Sequence, residues 1–373
     1  MEDRPVEQGI YVHLPFCRVK CSYCAFAVST DLRLEDAYGD ALLREIELRT
    51  RPRASADSLF WGGGTPSRSS FQWLSRIDGA LRSRFDLAPS AEVTLEANPE
   101  DLTPAAIEQW RQLGVNRLSI GVQSFQDSEL IPLGRIHGRA RALSAVELAV
   151  ASGLRTSLDL ILGLPGQTAE SFGSTLQTAI DSGVGHLSMY MLDLEPESAL
   201  AGRVSRGATR LPEEDTTSEI YLEAVERVSA AGFAQYEISN FARPGEESRH
   251  NLRYWQREVY AGFGVGAHSF DGSVRRGNIR NVRDYIDRLA AGRDPVEMLD
   301  PIGEGELRRE RIFLSLRRVP GIEYPDLLNW TDGRGAAWCE RGIEEGWLRI
   351  TGSRVAFTPR GFLLSSELLS ELF

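Results

Sequence analysis

The sequence predicts an α/β protein, a partial or full parallel (β/α) barrel followed by a small α+β domain of winged-helix type. Three observations carry that expectation. Strand-like apolar segments recur at intervals of roughly 30 to 40 residues, amphipathic helical stretches lie between them, and the texture changes near residue 301 to helices followed by a hairpin.

In order, "GIYVHLPF", "ASADSLFWGGG", "AEVTLEANP", "VNRLSIGVQS", "RTSLDLILGLPGQ", "GHLSMYMLDLEP" and "AQYEISNFA" read as strands. "LEDAYGDALLREIELRT", "TPAAIEQWRQLG" and "RALSAVELAVASG" read as helices, each ending in a glycine or a break. Six or more such units favour a barrel over a doubly wound sheet. The repeat falters near residue 240, where "RPGEESRHNLRYW" reads as a polar loop and "YAGFGVGAHSFDG" is glycine-rich. "LRRERIFLSLRRVPGIEY" is helical until Pro320-Gly321, and the remainder gives a helix, two short strands around "TGS" and a closing helix. The expected division is a barrel over 1–240, a connecting segment over 241–300 and the small domain over 301–373.

A chain of 373 residues with 42% hydrophobic and 25% charged residues can bury a sizeable core. Its net charge of −11 speaks against nucleic acid as a partner. No run of 18 apolar residues predicts a membrane span, which leaves only peripheral contact with a membrane. The opening "MEDRPVEQGIYVHLPF" lacks the basic end and apolar stretch of a signal peptide. Four cysteines, three of them adjacent, do not make a disulfide framework, so the expected setting is the reducing cytoplasm.

Cys17, Cys21 and Cys24 form C-x3-C-x2-C in a loop directly after the first predicted strand. Thiolates suit zinc or iron–sulfur clusters. Structural zinc needs four ligands, so here it would borrow one from afar, whereas a 4Fe–4S cluster on three cysteines keeps one iron open. The pattern favours the cluster. "WGGGTP" ends the second strand with glycines that let a ligand approach the backbone, though plain turns look similar. Glu96, Gln123, Arg135 and Asp159 fall at or just past strand ends, the edge where barrels place ligand contacts. His250, Tyr254 and Trp255 share "HNLRYW", where the histidine, read without further context, is one hydrogen-bonded within a loop. His268 is a weaker candidate, and Cys339 reads as an inert thiol on a helix.

The cysteine pattern resembles that of the radical S-adenosylmethionine (SAM) superfamily. "YVHLPFC", "CSYCAF", "FWGGGTPS", "LEANPEDLT", "GVNRLSIGVQSFQD", "LGRIH", "LDLILGLPGQT", "YEISNFARPGEESRHNLRYW" and "GFGVGAHS" extend that likeness over almost the whole chain. They resemble the HemN/HemW group, named for oxygen-independent coproporphyrinogen III oxidase and a heme-chaperone branch. The resemblance implies a barrel of radical SAM type with a 4Fe–4S cluster on the three cysteines. It implies that SAM contacts Gly63, Gly64, Thr65, Glu96, Gln123, Arg135 and Asp159, with Tyr11 and Tyr23 beside it. It also implies that heme contacts His250. No catalytic residue is assigned. In the oxidase branch a fourth cysteine stands two residues after the third, where this chain has Phe26, and a long extension precedes the first strand. Ala25 also replaces an acidic residue common among the chaperones. The resemblance thus implies heme handling and transfer to an acceptor such as a respiratory enzyme. The alternative is a SAM-dependent decarboxylation of a porphyrinogen.

Overall fold

The computed structural model describes residues 7–50, 53–331 and 333–373, so the first six residues of the opening segment lie outside it. Six strands run parallel and in sequence order: β1 (Gln8–Leu14), β2 (Ala54–Gly63), β3 (Phe85–Ala97), β4 (Arg117–Gln123), β5 (Arg155–Leu162) and β6 (His186–Met191). The crossovers carry α1 (Glu35–Arg49), α2 (Phe71–Arg84), α3 (Pro104–Gln112), α4 (Asp127–Leu133), α5 (Arg139–Ala151) and α6 (Ala169–Asp181). Their starts follow local chemistry. Ser70 caps α2, Thr103 caps α3 ahead of Pro104, and Thr168 with Ser171 forms a capping box on α6.

The strands differ from expectation in one informative way. A parallel strand covered on both faces reads as a continuous apolar run, but these alternate. Ile10, Val12, Leu59, Trp61, Val93, Leu95, Leu118, Ile120, Leu158, Leu160, Leu187 and Met189 form one face and pack under the helices as the core. Each such side chain, buried from water, contributes about 1.5–3 kcal/mol. The other face is polar: Ser58, Glu92, Thr94, Glu96, Arg117, Ser119, Ser157, Asp159, His186 and Ser188. The sheet curls around this polar face, because Glu96 on β3, Asp159 on β5 and Tyr190 on β6 lie in one another's electrostatic field. The strands therefore line a lumen.

After β6 come α7 (Ala199–Ser205) and α8 (Glu214–Ala230). The seventh expected strand, "AQYEISNFA", is instead a tight hairpin of β7 (Ala234–Gln235) and β8 (Asn240–Ala242), and β8 pairs antiparallel to β6. "RPGEESRHNLRYW" is not wholly loop, since Ser248 caps a helix, α9 (Arg249–Trp255). The segment 241–300, expected as a connector, continues the sheet. Strand β9 (Tyr260–Phe263) lies parallel to β1, and β10 (His268–Phe270), β11 (Val274–Asn278) and β12 (Val296–Pro301) extend it antiparallel, with α10 (Val282–Ala290) between the last two. Among the described residues the sheet ends at β12 and β7 without these pairing, so the barrel is partial.

The C-terminal unit runs α11 (Glu304–Leu316), β13 (Ile322–Glu323), α12 (Tyr324–Trp330), α13 (Arg334–Glu344), β14 (Leu348–Thr351) and β15 (Arg354–Phe357). Strand β15 pairs with both β14 and β13, which is winged-helix order. Two short helices, α14 (Pro359–Leu363) and α15 (Ser365–Ser370), close it over a separate core that includes Trp338, Cys339, Trp347 and Phe357. The unit docks by main chain: the Ile238 N–H donates to the Arg317 carbonyl at 2.9 Å, and the Val319 N–H to the Tyr236 carbonyl at 3.2 Å. Among the described residues no helix is long and apolar enough to cross a membrane.

Candidate functional site

The cysteine loop leaves the carboxyl end of β1 and is pinned at its base. The Cys17 N–H donates to the Ser29 carbonyl at 3.0 Å and the Ser29 N–H to the Pro15 carbonyl at 2.8 Å. Ser22 holds the far side. Its N–H donates to the Leu133 carbonyl at 2.9 Å, its hydroxyl to the Pro132 carbonyl at 3.0 Å, and its own carbonyl accepts from the Leu200 N–H at 2.8 Å. Tyr23 packs with Leu133, Ile161, Leu164 and Leu200, a small apolar cluster beneath the loop. The loop is thus clasped between the end of α4 and the start of α7.

A polar arc joins two of the sulfurs. Arg135 reaches Cys21 Sγ at 3.5 Å, Asn98 Oδ1 at 2.7 Å and the Gly121 carbonyl at 2.6 Å. Asn98 donates to Thr65 Oγ1 at 3.4 Å, and Thr65 to Cys17 Sγ at 3.4 Å. Gly134, with φ of 73°, ends α4 in the left-handed conformation and turns Arg135 back toward the loop. All three cysteines are free, and burial pushes the Cys17 thiol up to about 11 despite the Thr65 bond. Among the described residues no three histidine, cysteine or carboxylate side chains converge where a single ion could sit. Three free thiols on one loop are a soft donor set of the kind an iron–sulfur cluster takes.

The glycine run has a steric reason. Gly63 has φ of 112°, and a Cβ there would meet the His13 ring at 2.8 Å. A Cβ on Gly64 would meet Pro15 at 2.6 Å and Cys17 Sγ at 3.0 Å. His13 is buried, its Nε2 donating to the Ala27 carbonyl at 2.9 Å, so its Nδ1 accepts from the Tyr11 hydroxyl at 3.1 Å. Burial lowers its pKa to about 4, so it stays neutral.

Beyond the glycines lies an acidic lumen. Glu96 accepts from the Gly63 N–H at 3.0 Å, while Asp159 accepts from the Ser119 hydroxyl at 3.1 Å. Burial, then the neighbouring Asp159, pushes Glu96 up to about 8. Burial pushes Asp159 to about 6 against the pull of the Ser188 and Ser119 hydroxyls. Gln123 ends β4 at φ of 66°, a strained conformation for a non-glycine residue. The structure therefore gathers Tyr11, Gly63, Gly64, Thr65, Glu96, Gln123, Arg135 and Asp159 at one end of the half-barrel, around Cys17, Cys21 and Cys24.

His250 stands apart from them. It is 1% exposed, its N–H donates to Glu92 Oε1 at 3.0 Å, and its ring stacks on Phe60 with centroids 5.1 Å apart. Both ring nitrogens are engaged, Nδ1 with Ser58 Oγ at 3.0 Å and Nε2 with the Tyr254 hydroxyl at 2.8 Å. This is the strands' starting end, where Glu92 also meets Arg155 at 3.3 Å and Arg117 at 3.9 Å. As folded, His250 offers no nitrogen to iron. His268 lies exposed on β10.

Several positions packed around the site escape a reading by motif. His13, Asn98 and Ser22 sit inside quoted motifs but carry no signature of their own. Glu237, buried in the β7–β8 turn and pushed up to about 7 by burial, comes to the lumen only through tertiary folding. Tyr38 bridges the His13 carbonyl at 2.8 Å and the Val265 N–H at 3.0 Å, and only the alternation of buried positions on α1 hints at it.

A half-barrel with three cysteines after β1 and a glycine loop after β2 defines a radical SAM protein, and the Radical SAM superfamily profile matches residues 11–179. Whole-chain similarity narrows the class. The heme chaperone HemW of Mycobacterium tuberculosis is 37% identical, covering 98% of this chain and 94% of that protein. The heme chaperone HemW of Bacillus subtilis is 35% identical over 96% and 97%. The chain belongs to the HemW family. The solved structure of coproporphyrinogen III oxidase (HemN) from Escherichia coli, a radical SAM enzyme, superposes with a TM-score of 0.85 at 24% identity, over 100% of this chain and 91% of that one. That last likeness is one of fold.

Proposed function

We propose that the chain is a heme chaperone that carries a 4Fe–4S cluster on Cys17, Cys21 and Cys24, binds SAM beside it, and passes heme to an acceptor protein. The observation that carries this reading is Phe26. It occupies the position of the oxidase branch's fourth cysteine, yet is 65% exposed and offers no sulfur, in a chain similar to HemW relatives from end to end.

When bound, the cluster supplies an electron and an open iron at which the amino and carboxylate groups of SAM can attach. The chain's own residues set the conditions. Gly63 and Gly64 keep side chains away from the loop, leaving backbone groups for the methionyl end. Arg135 provides the guanidinium nearest the sulfurs and a partner for a carboxylate. Glu96 and Asp159 are buried acids that form no ion pair among the described residues, suited to a ligand bearing an ammonium and a sulfonium. Tyr11, bonded to His13, packs beside the strand end that leads into the glycines, where a Cβ on Gly62 would meet its ring at 2.8 Å.

The deciding experiment pairs hemin titration with porphyrinogen turnover on one anaerobically reconstituted preparation. The proposal expects about one hemin per chain and no SAM-dependent decarboxylation of coproporphyrinogen III. Efficient turnover would make the chain an oxidase instead.

A further inference from the structure

The chain has five histidines, and four of them are engaged inside the fold. His13, His137, His186 and His250 are buried, and both ring nitrogens of each lie within hydrogen-bond distance of a neighbour. His268 differs on both counts. It is exposed, and among the described residues neither of its ring nitrogens has a partner. Partial burial, then the Arg275 and Arg280 guanidiniums, hold its pKa below the usual 6.5. At neutral pH the imidazole is therefore uncharged and keeps a lone pair for a metal.

Strand pairing shows which way it faces, because residues directly opposite one another in a sheet share a face. Tyr11 alternates with the core residues Ile10 and Val12, so it belongs to the lumen face of β1 together with Gly9. Gly9 lies opposite Tyr260, and Tyr260 opposite Phe270. His268, two residues before Phe270, lies opposite Gly277, and Gly277 opposite Met298. His268 and Met298 thus extend the lumen wall toward β12, which among the described residues pairs only with β11.

The place is built around two glycines. A Cβ on Gly262 would strike the His268 carbonyl oxygen at 1.9 Å, so a glycine is needed for β10 to close on β9 there. A Cβ on Gly277 would meet His268 Cε1 at 3.1 Å and Met298 Cε at 3.4 Å. With no side chain at that position, imidazole and thioether stand side by side over bare backbone. Arg275 is matched by Glu310 and by Asp300 at 3.5 Å. Arg280 donates to the Ala25 carbonyl at 2.9 Å and forms no ion pair among the described residues, so its charge is available beside the histidine.

We propose that His268 is the iron ligand for the chaperone's heme, with Arg280 on a propionate and Met298 against the macrocycle. The proposal rests on the heme-chaperone reading and gives it a contact residue in place of His250. A single ligand beside an open sheet edge leaves the opposite side of the iron for an acceptor's ligand, so the cargo can be taken before it is released.

The test titrates the full, anaerobically reconstituted chain with hemin and with metal-free protoporphyrin IX, following Soret absorbance. The parent should bind hemin about tenfold more tightly than protoporphyrin IX, because only hemin gains the nitrogen–iron bond. His268→Gly should lose that preference, and added imidazole should restore hemin binding without affecting protoporphyrin IX. Arg280→Gln should weaken both porphyrins by one smaller factor. Cluster iron and SAM binding should match the parent's in both variants, which marks each loss as local. If His268→Gly keeps the parent's preference for hemin, or the parent shows none, His268 is not the ligand while the chaperone reading stands. If the parent binds no hemin at all, both fall together.

Discussion

The two ends of the half-barrel use the same strands and the same residue chemistry in opposite ways. At the starting end Glu92 is surrounded by Arg117, Arg155, the Ser248 hydroxyl and the His250 N–H. At the carboxyl end Glu96, four residues further along β3 on the same face of the strand, has one backbone N–H and a second carboxyl as neighbour. One end neutralises its buried charge within the fold and closes the lumen. The other leaves two acids raised by burial, Glu96 further by the neighbouring Asp159, beside three free sulfurs. Buried charge that is paired belongs to stability, and buried charge left unpaired points to a ligand.

Breaking either end separates the two roles. The largest effect should come from Cys21→Ser, which removes one cluster ligand: iron, sulfide and the visible cluster absorbance should fall nearly to zero after anaerobic reconstitution, with the fold intact by circular dichroism. Glu92→Ala should cost about 3–5 kcal/mol in urea unfolding, because it leaves Arg117 as an uncompensated buried cation. Glu96→Gln should show no comparable loss. His250→Ala should cost about 1–3 kcal/mol through the unpaired Ser58 and Tyr254 hydroxyls. It should leave hemin binding close to the parent's, and a large loss of hemin with unchanged stability would restore His250 as a heme contact. Glu96→Gln should weaken SAM by about tenfold in calorimetry.

The smallest effect sharpens the comparison by pH. The Glu96 carboxyl is held near 8 in the fold against an ordinary 4.5, so the folded chain holds a proton that the unfolded chain has released across that window. This group's contribution is therefore fully present below about 4.5 and is lost as pH rises toward 8. Urea unfolding at pH near 5 and near 8 should show the decline in the parent and a shallower one in Glu96→Gln. A cationic ligand should reverse the sign locally, so SAM binding near neutral pH should release protons, read as a calorimetric enthalpy that depends on the buffer's ionisation heat.

The carboxyl end was largely legible in the sequence, because cysteine spacing and glycine runs leave marks at short range. Cys17, Gly63 and Arg135 are constrained within a few residues of the strand ends that carry them. The starting end was not. Glu92, Arg117 and Arg155 look like ordinary surface charges until β3, β4 and β5 align them, and nothing local in "HNLRYW" shows that Ser58 and Tyr254 engage the His250 ring. The strands themselves were misread as apolar runs, since Leu and Val on the core face mask the Ser, Glu and Asp that alternate with them. Strands of three to six residues such as β10 and β12 carry too little periodicity to announce that the sheet continues past residue 240.

Electron paramagnetic resonance of the reduced chain, recorded with and without SAM, tests the open corner of the cluster most directly. A site with three protein sulfurs and a vacant iron should give a 4Fe–4S signal that shifts when SAM is added. A signal indifferent to SAM, or no cluster signal at all, would contradict the account.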